Sequence, residues 1–450
     1  MSIQSNRTPV SPKTVMRGRA WVAPLCWFAV VFDGFDAVVL GSVLPAMTND
    51  PALGMSDGQG TWVTTIGLVG MMLGALSMGR LTDKLGRRMV LILAVIAFSV
   101  FTFATGFATG PMTIGVLRFL AGLGLGGCLP TAISMVTEFA GMAKSASATT
   151  LVMSGYHVGA VLTGAVAIWV TQFIVDGWRM MFFLAGIPVL ILVPLMYRYL
   201  PESPQYLASV GRVVEAEAVA KHYGTTLDTD KALVGQDVDR NQNNGGENKQ
   251  GIALLLSSTY RRNTLLIWVS SFMGLLLIYG LNNYLPSIMT RSGYGLGNSL
   301  GFLVVLNVGS VIGLLVVGRI GDRFTPRVAA IISFSGSAIF LAALAIKLPV
   351  AGIYIMVFIS GFFVAAAQNL MYAFTASNHP SKVRGTALGM SAGIGRLGAI
   401  SGPLLGGSLL TAGLAYPWAF FAFGAVGAFG AVASLAVRTK RRTEKIEILH

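Results

Sequence analysis

Twelve runs of apolar residues divide this chain, and its polar residues gather between the runs instead of alternating within them. About twenty consecutive apolar residues suffice for a helix to cross a bilayer. The runs predict transmembrane helices near residues 21–47, 61–79, 89–108, 112–138, 146–174 and 180–199, then 264–289, 298–318, 328–346, 350–376, 384–411 and 416–437. The short alternating segments of a membrane β-barrel are absent. The expected fold is all-α: a polytopic membrane protein with twelve transmembrane helices in two six-helix bundles. A polar stretch holding Asn241-Gln242-Asn243-Asn244-Gly245-Gly246 parts the sixth run from the seventh and reads as a linker. The expected division is a tail over 1–20, a bundle over 21–199, a cytoplasmic linker over 200–262, a second bundle over 263–437 and a tail over 438–450.

Composition narrows the class. With 54% hydrophobic and 11% charged residues, the chain is unlike an ordinary soluble enzyme, which carries roughly 25% charge. A net charge of +14 would suggest nucleic acid in a soluble protein, but the basic residues flank the apolar runs. The positive-inside rule accounts for them, so the expected partner is the lipid bilayer and not nucleic acid. Of the 32 Lys and Arg, only Arg179, Arg291 and Lys347 fall in the odd-numbered loops, and Arg118 and Arg396 lie within runs four and eleven. All the others sit on the side of both termini, which is therefore read as cytoplasmic. Arg7, Lys13, Arg17 and Arg19 precede the first run as in a signal peptide, but that run is too long and holds two aspartates. It reads as a retained helix. Cys26 and Cys128 both lie in apolar runs, so neither a disulfide nor a metal cluster is expected, and no cofactor is implied.

An internal repeat supports the six-plus-six division. Gly79-Arg80-Leu81-Thr82-Asp83 recurs as Gly318-Arg319-Ile320-Gly321-Asp322 at an offset of 239, while Trp178 recurs as Trp418, and Lys144 as Arg384, at 240. A nearly constant offset argues duplication of a six-helix unit, with a ligand expected near the midplane between the halves.

Chemistry concentrates in a few intramembrane groups. Asp33 and Asp36 share one helical turn within the first run. An ionisable residue there is costly and is by default a functional-site hypothesis. At i and i+3 the two side chains lie on one face, roughly 5–6 Å apart at Cβ, and such carboxylates titrate as a coupled pair. Arg118 stays charged and needs an acidic or anionic partner, for which the acidic pair is the first candidate. Glu138, near the end of the same run, reads either as a proton-coupling group or as a boundary residue. Arg396 is the candidate partner of a substrate carboxylate, which a guanidinium fork matches bidentately. Tyr156, His157, Tyr279, Asn282, Asn283, Gln368 and Asn369 supply phenol, imidazole and amide groups suited to an anionic aromatic ligand, although packing alone explains them almost as well. Gly79, Asp83, Gly86 and Arg87, with Asp322 and Arg384, read as a conformational latch between the halves, because glycines allow a tight turn and Asp83 can pair or cap a helix. Glycine ladders such as Gly70/Gly74, Gly309/Gly313 and Gly385/Gly389/Gly393 read as helix-packing surfaces.

The loop Gly79-Arg80-Leu81-Thr82-Asp83-Lys84-Leu85-Gly86-Arg87-Arg88, and Arg118 followed by closely spaced glycines, resemble signatures of the major facilitator superfamily. Asp33-Gly34-Phe35-Asp36, Pro201-Glu202-Ser203-Pro204 and Tyr279-Gly280-Leu281-Asn282 sharpen the likeness to its aromatic acid:H+ symporter family. That resemblance implies proton-driven uptake of a benzoate-like or hydroxybenzoate-like carboxylate across a bacterial cytoplasmic membrane. It also implies functional weight for Asp33, Asp36, Asp83, Arg118, Glu138, Asp322, Arg384 and Arg396. The expected partners are a small aromatic carboxylate and H+, and a monomer is expected. The competing functions are symport of a non-aromatic organic acid or sugar, drug/H+ antiport, and ligand sensing by a membrane chemoreceptor. An enzyme is not expected, since no metal-ligand cluster or nucleophile with a base stands at motif spacing.

Overall fold

The computed structural model describes residues 21–140, 145–174, 176–223, 253–258, 260–320, 325–346, 348–379 and 381–438. The helices are α1 (Val22–Thr48), α2 (Asp57–Leu85), α3 (Arg87–Thr105), α4 (Pro111–Ala140), α5 (Ser145–Phe173), α6 (Gly177–Leu184) and α7 (Ile187–Tyr199). After them come α8 (Pro204–Ser209), α9 (Val213–Tyr223), α10 (Arg261–Arg291), α11 (Leu296–Ile320), α12 (Pro326–Ala343), α13 (Val350–Asn378), α14 (Ser381–Thr411) and α15 (Trp418–Ala436). No strand occurs among the described residues. Consecutive α6 and α7 make up the sixth predicted span, interrupted at 185–186.

Eleven spans among the described residues are long and apolar enough to cross a membrane. The remaining predicted span, the eleventh in chain order, is α14, a 31-residue helix that carries Lys382, Arg384 and Arg396 among many glycines and serines. Its composition falls short while its length does not. The predicted linker begins with structure: Ser203 caps α8 by accepting from the Tyr206 amide, with Pro204 at the first helical position, and α9 follows.

Helix pairing repeats between the halves. In the first half α1 packs on α5, and α2 and α3 on α4; in the second α10 packs on α14, and α11 and α12 on α13. Across the halves α5 meets α11 and α14 meets α2, one relation under the same exchange of six-helix units. Close approach of helix backbones makes the α1–α5 contact possible. A Cβ at Gly34 would overlap the Tyr156 carbonyl, and one at Gly159 would overlap the Val31 carbonyl. The ladders Gly70/Gly74 and Gly309/Gly313 are seated on neighbouring helix backbones as the pattern predicts, but Gly389 and Gly393 are exposed and meet nothing within 4 Å. That face of α14 has no neighbour among the described residues, while Ser391 on the opposite face is buried against Ser271 of α10.

The stretch read from the sequence as a loop at 79–88 is a corner. Helix α2 continues to Leu85, α3 begins at Arg87, and only Gly86 separates them, at φ 87° and ψ 160°. This is a conformation essentially restricted to glycine. Glu202 fills the space beside it: its Oε1 accepts from the amides of Arg87 at 2.9 Å and Arg88 at 3.1 Å. A carboxylate is thereby placed on the positive N-terminus of α3. Gly86→Ala would both strain the backbone and overlap the Glu202 carboxylate and the Tyr206 ring. The expected cost is about 1–3 kcal/mol, read as a lowered midpoint of thermal unfolding in detergent; an unchanged midpoint would show that the corner relaxes freely.

Candidate functional site

The acidic turn of α1 lies inside the first bundle, with Asp33 3% and Asp36 1% exposed. The two carboxylates have different surroundings. Asp36 Oδ1 accepts from Arg118 Nη1 at 2.7 Å and its Oδ2 accepts from Thr102 Oγ1 at 2.5 Å. Arg118 also donates to Thr102, and the Phe182 ring lies 5.5 Å from its guanidinium carbon. Three helices, α1, α3 and α4, thus close a buried ion pair. Asp33 Oδ1 has no hydrogen-bond partner among the described residues. Arg396 of the other half and Asp36 lie within its electrostatic reach.

Arg396, on α14, faces the first bundle. Its Nη1 donates to Tyr279 Oη at 3.3 Å and to Met71 Sδ at 2.9 Å, while Tyr279 Oη itself lies 3.5 Å from that sulfur. A thioether is a weak acceptor and a phenol a neutral one. Among the described residues no carboxylate lies within 4 Å of this guanidinium. Around it stand three phenols: Tyr279, half-buried Tyr372, and Tyr156 with its ring 6.4 Å from that of Tyr279. His157 continues the row, its ring 5.3 Å from Tyr156.

The predicted amides fall around the same region with different contacts. Asn282 and Asn283, 3% and 2% exposed, donate to the carbonyls of Ile278 and Tyr279 on their own helix at 2.8 Å. Asn307 on α11 joins Asn282 to His157, which ties the second bundle to the first. Gln368 is 3% exposed with neither amide atom partnered among the described residues, its head against the backbone of Gly274, and Asn369 beside it is half-buried. A cavity of ≈ 30 Å³, room for one water, lies among Asp36, Arg118, Thr64, Asn283 and Met71. It places Met71 between the closed ion pair and the open guanidinium.

Glu138 is not brought to the acidic turn. It ends α4, twenty residues and about 30 Å along the helix from Arg118, where it forms an ion pair with Arg87 and accepts from Ser203. Arg87 donates to Ser203 Oγ as well, at 3.2 Å. Glu138 therefore stands with the Gly86 corner and Glu202, on the side where α1 begins and α15 ends. Asp83 is on the last turn of α2. Asp322 lies outside the described residues, and Gly79 and Arg384 are described as helical backbone only.

Contacts joining the bundles run from this mid-depth cluster to the opposite end. There Tyr284 Oη donates to Thr61 Oγ1 at 2.9 Å, and Arg291 Nη2 pairs with Asp57 Oδ2 at 2.7 Å. Three contributors escaped the sequence reading. Asn307 carries the same kind of signal as Asn282, an amide inside an apolar run. Thr102 and Met71 carry none, since Thr and Met are ordinary residues in a membrane helix.

Comparison with known proteins agrees with this architecture. A family model described as Major Facilitator Superfamily matches residues 26–345 and 298–448. A gentisate transporter of Corynebacterium glutamicum is 33% identical over 409 residues, covering 90% of this chain and 85% of its own. The benzoate transport protein of Acinetobacter baylyi is 33% identical, covering 87% and 84%. A 4-hydroxybenzoate transporter of Pseudomonas aeruginosa is 31% identical, covering 91% and 89%. Among solved structures, the xylose transporter XylE from E. coli in a partially occluded inward-open conformation matches with a TM-score of 0.73 at 16% identity, covering 92% of this chain and 97% of its own. That likeness shows the fold.

Proposed function

Because this chain belongs to the major facilitator superfamily, and within it to the aromatic acid transporters, we propose that it carries an aromatic monocarboxylate together with a proton across a bacterial cytoplasmic membrane by alternating access. It is a transporter and not an enzyme. The observation that carries the reading is Arg396: a guanidinium at mid-depth, bordered by Tyr279 and Tyr156, whose protein contacts are a phenol and a thioether. A carboxylate ligand supplies the missing anion bidentately, and its ring finds the phenol faces.

Asp33 supplies the coupling. Its buried carboxylate has Arg396 as nearby cation, so a substrate carboxylate and the Asp33 carboxylate compete for one positive charge. A buried carboxylate deprived of its cation takes up a proton instead of remaining charged. Substrate and proton therefore load together and leave together. Asp36, held by Arg118 and Thr102, stays the charged scaffold of the turn. The side with the Gly86 corner and both termini faces the cytoplasm. The contacts of Tyr284 with Thr61 and Arg291 with Asp57 close the outer side, which makes this the inward-facing arrangement of the cycle. A latch between the halves at the Gly86 corner remains part of this reading; in the present arrangement Arg87, Glu138 and Glu202 join α3 to α4 and to the segment after α7, within the first bundle.

One proton moving with one monoanion transfers no net charge, so the membrane potential adds nothing and the pH gradient is the whole drive. Reconstituted vesicles with an imposed pH gradient, acidic outside, should accumulate labelled benzoate or hydroxybenzoate. A potential without a pH gradient should not. Accumulation indifferent to the pH gradient would sink the coupling, and absence of saturable uptake of any aromatic acid would sink the transport reading.

A further inference from the structure

Where the bundles meet at mid-depth, a chain of side-chain hydrogen bonds has a polarity that its ends determine. Asn282 Nδ2 donates to the Ile278 carbonyl at 2.8 Å, which turns its Oδ1 to accept from Asn307 Nδ2 at 2.7 Å. Asn307 Nδ2 also donates to the Leu303 carbonyl at 3.1 Å. Flipping either amide would set oxygen against oxygen, so neither orientation is arbitrary. Asn307 Oδ1 consequently faces His157 Nδ1, at 3.2 Å. A carbonyl oxygen only accepts, so Nδ1 carries the hydrogen and Nε2 of the neutral ring is a bare acceptor.

That acceptor has no hydrogen-bond partner among the described residues, and it is not one of the atoms sealed away from the surface. His157 is 8% exposed where α5 meets α11, across the boundary of the two bundles. From there the rings of Tyr156 and Tyr279 lead to Arg396. A cation and a neutral acceptor therefore stand at the two ends of one aromatic-lined stretch.

We infer that His157 reads a hydroxyl group on the ring of the transported acid, so that the protein selects hydroxylated aromatic carboxylates over the unsubstituted one. The inference rests on the assignment of Arg396 to the substrate carboxylate. With the carboxylate there, a ring hydroxyl donates to Nε2. Asn307 is a positioning residue: it holds the hydrogen on Nδ1 from behind. Without it either nitrogen can carry the hydrogen, and the form with Nε2–H cannot accept.

Two measurements test this. In binding competition on the purified protein, at least one of 2-, 3- and 4-hydroxybenzoate should bind about five- to fifteenfold more tightly than benzoate. His157→Phe should abolish that preference. The second measurement is the ¹⁵N spectrum of a protein carrying Gln at His222, His379 and His450, which leaves His157 as the sole histidine. It should show hydrogen on Nδ1, with the Nε2 signal moving on addition of the preferred hydroxybenzoate and not of benzoate, and Asn307→Leu should give mixed tautomers. The inference is overturned if benzoate binds as well as every isomer, if the preference survives His157→Phe, or if the sole histidine carries its hydrogen on Nε2. If no aromatic acid binds saturably, the transport reading itself fails.

Discussion

Arg396→Gln is expected to raise the Kd for the substrate by about two to three orders of magnitude, the usual consequence of truncating one member of a desolvated, hydrogen-bonded charge pair. Arg396→Lys keeps the charge and loses the planar fork, so a smaller loss of about tenfold is expected. Neither change should harm folding much. The direct contacts of Arg396 are the hydroxyl of Tyr279 and the sulfur of Met71, and Asp33, which has it as nearby cation, takes up a proton when deprived of it, so its removal strands no buried charge. Titration calorimetry with a hydroxybenzoate on the detergent-purified variants measures the first effect, and the unfolding midpoint measures the second. Binding by Arg396→Gln within about threefold of the parent protein would remove the carboxylate from this guanidinium.

The helices are legible because lipid imposes one simple rule, an apolar run of sufficient length. Their ends are less so. The second span reads as 61–79 from its apolar residues, yet α2 runs from Asp57 to Leu85, because a helix continues on its own hydrogen bonds beyond the hydrocarbon. Its start is set by a reciprocal cap, with Ser56 accepting from the Gln59 amide and Gln59 accepting from the Ser56 amide. α14 is the opposite case: helical throughout, but too polar to pass on composition, because the face with Arg396 meets the central space and not lipid.

The site is legible as a set of residue types and not as a set of contacts. Two aspartates in one turn stand out in any apolar run. Which of them is free depends on Thr102 and Arg118, on helices distant in sequence, and nothing about α1 alone separates the two. Glu138 is singled out with Arg118 because both are charged and share α4. Twenty residues of intervening helix carry it to the Arg87 corner instead. Pairing across the bundles, as between His157 and Asn307, belongs to tertiary geometry alone.

The unequal surroundings of the acidic pair predict opposite outcomes for one substitution made at two positions. Asp36→Asn leaves the Arg118 guanidinium, 5% exposed, without its counterion, and breaking a buried pair in this way costs about 3–5 kcal/mol. Poor yield and a lowered unfolding midpoint are expected. Adding Arg118→Gln should recover much of that loss, since removing both charges is far less costly than removing one. Asp33→Asn removes a carboxylate that has an oxygen without a hydrogen-bond partner among the described residues, so the fold should tolerate it. Its effect belongs to transport. Under the proposed coupling, anion binding at Arg396 in the parent protein takes up a proton at Asp33, and linkage then requires affinity to rise as pH falls, by up to about tenfold per pH unit. In Asp33→Asn that slope should vanish while the acid still binds. Exchange of labelled for unlabelled acid across vesicles should persist, and accumulation driven by a pH gradient should be lost. Equal loss of stability in the two single variants would contradict the division of roles within the turn. Gradient-driven accumulation by Asp33→Asn would place the proton elsewhere.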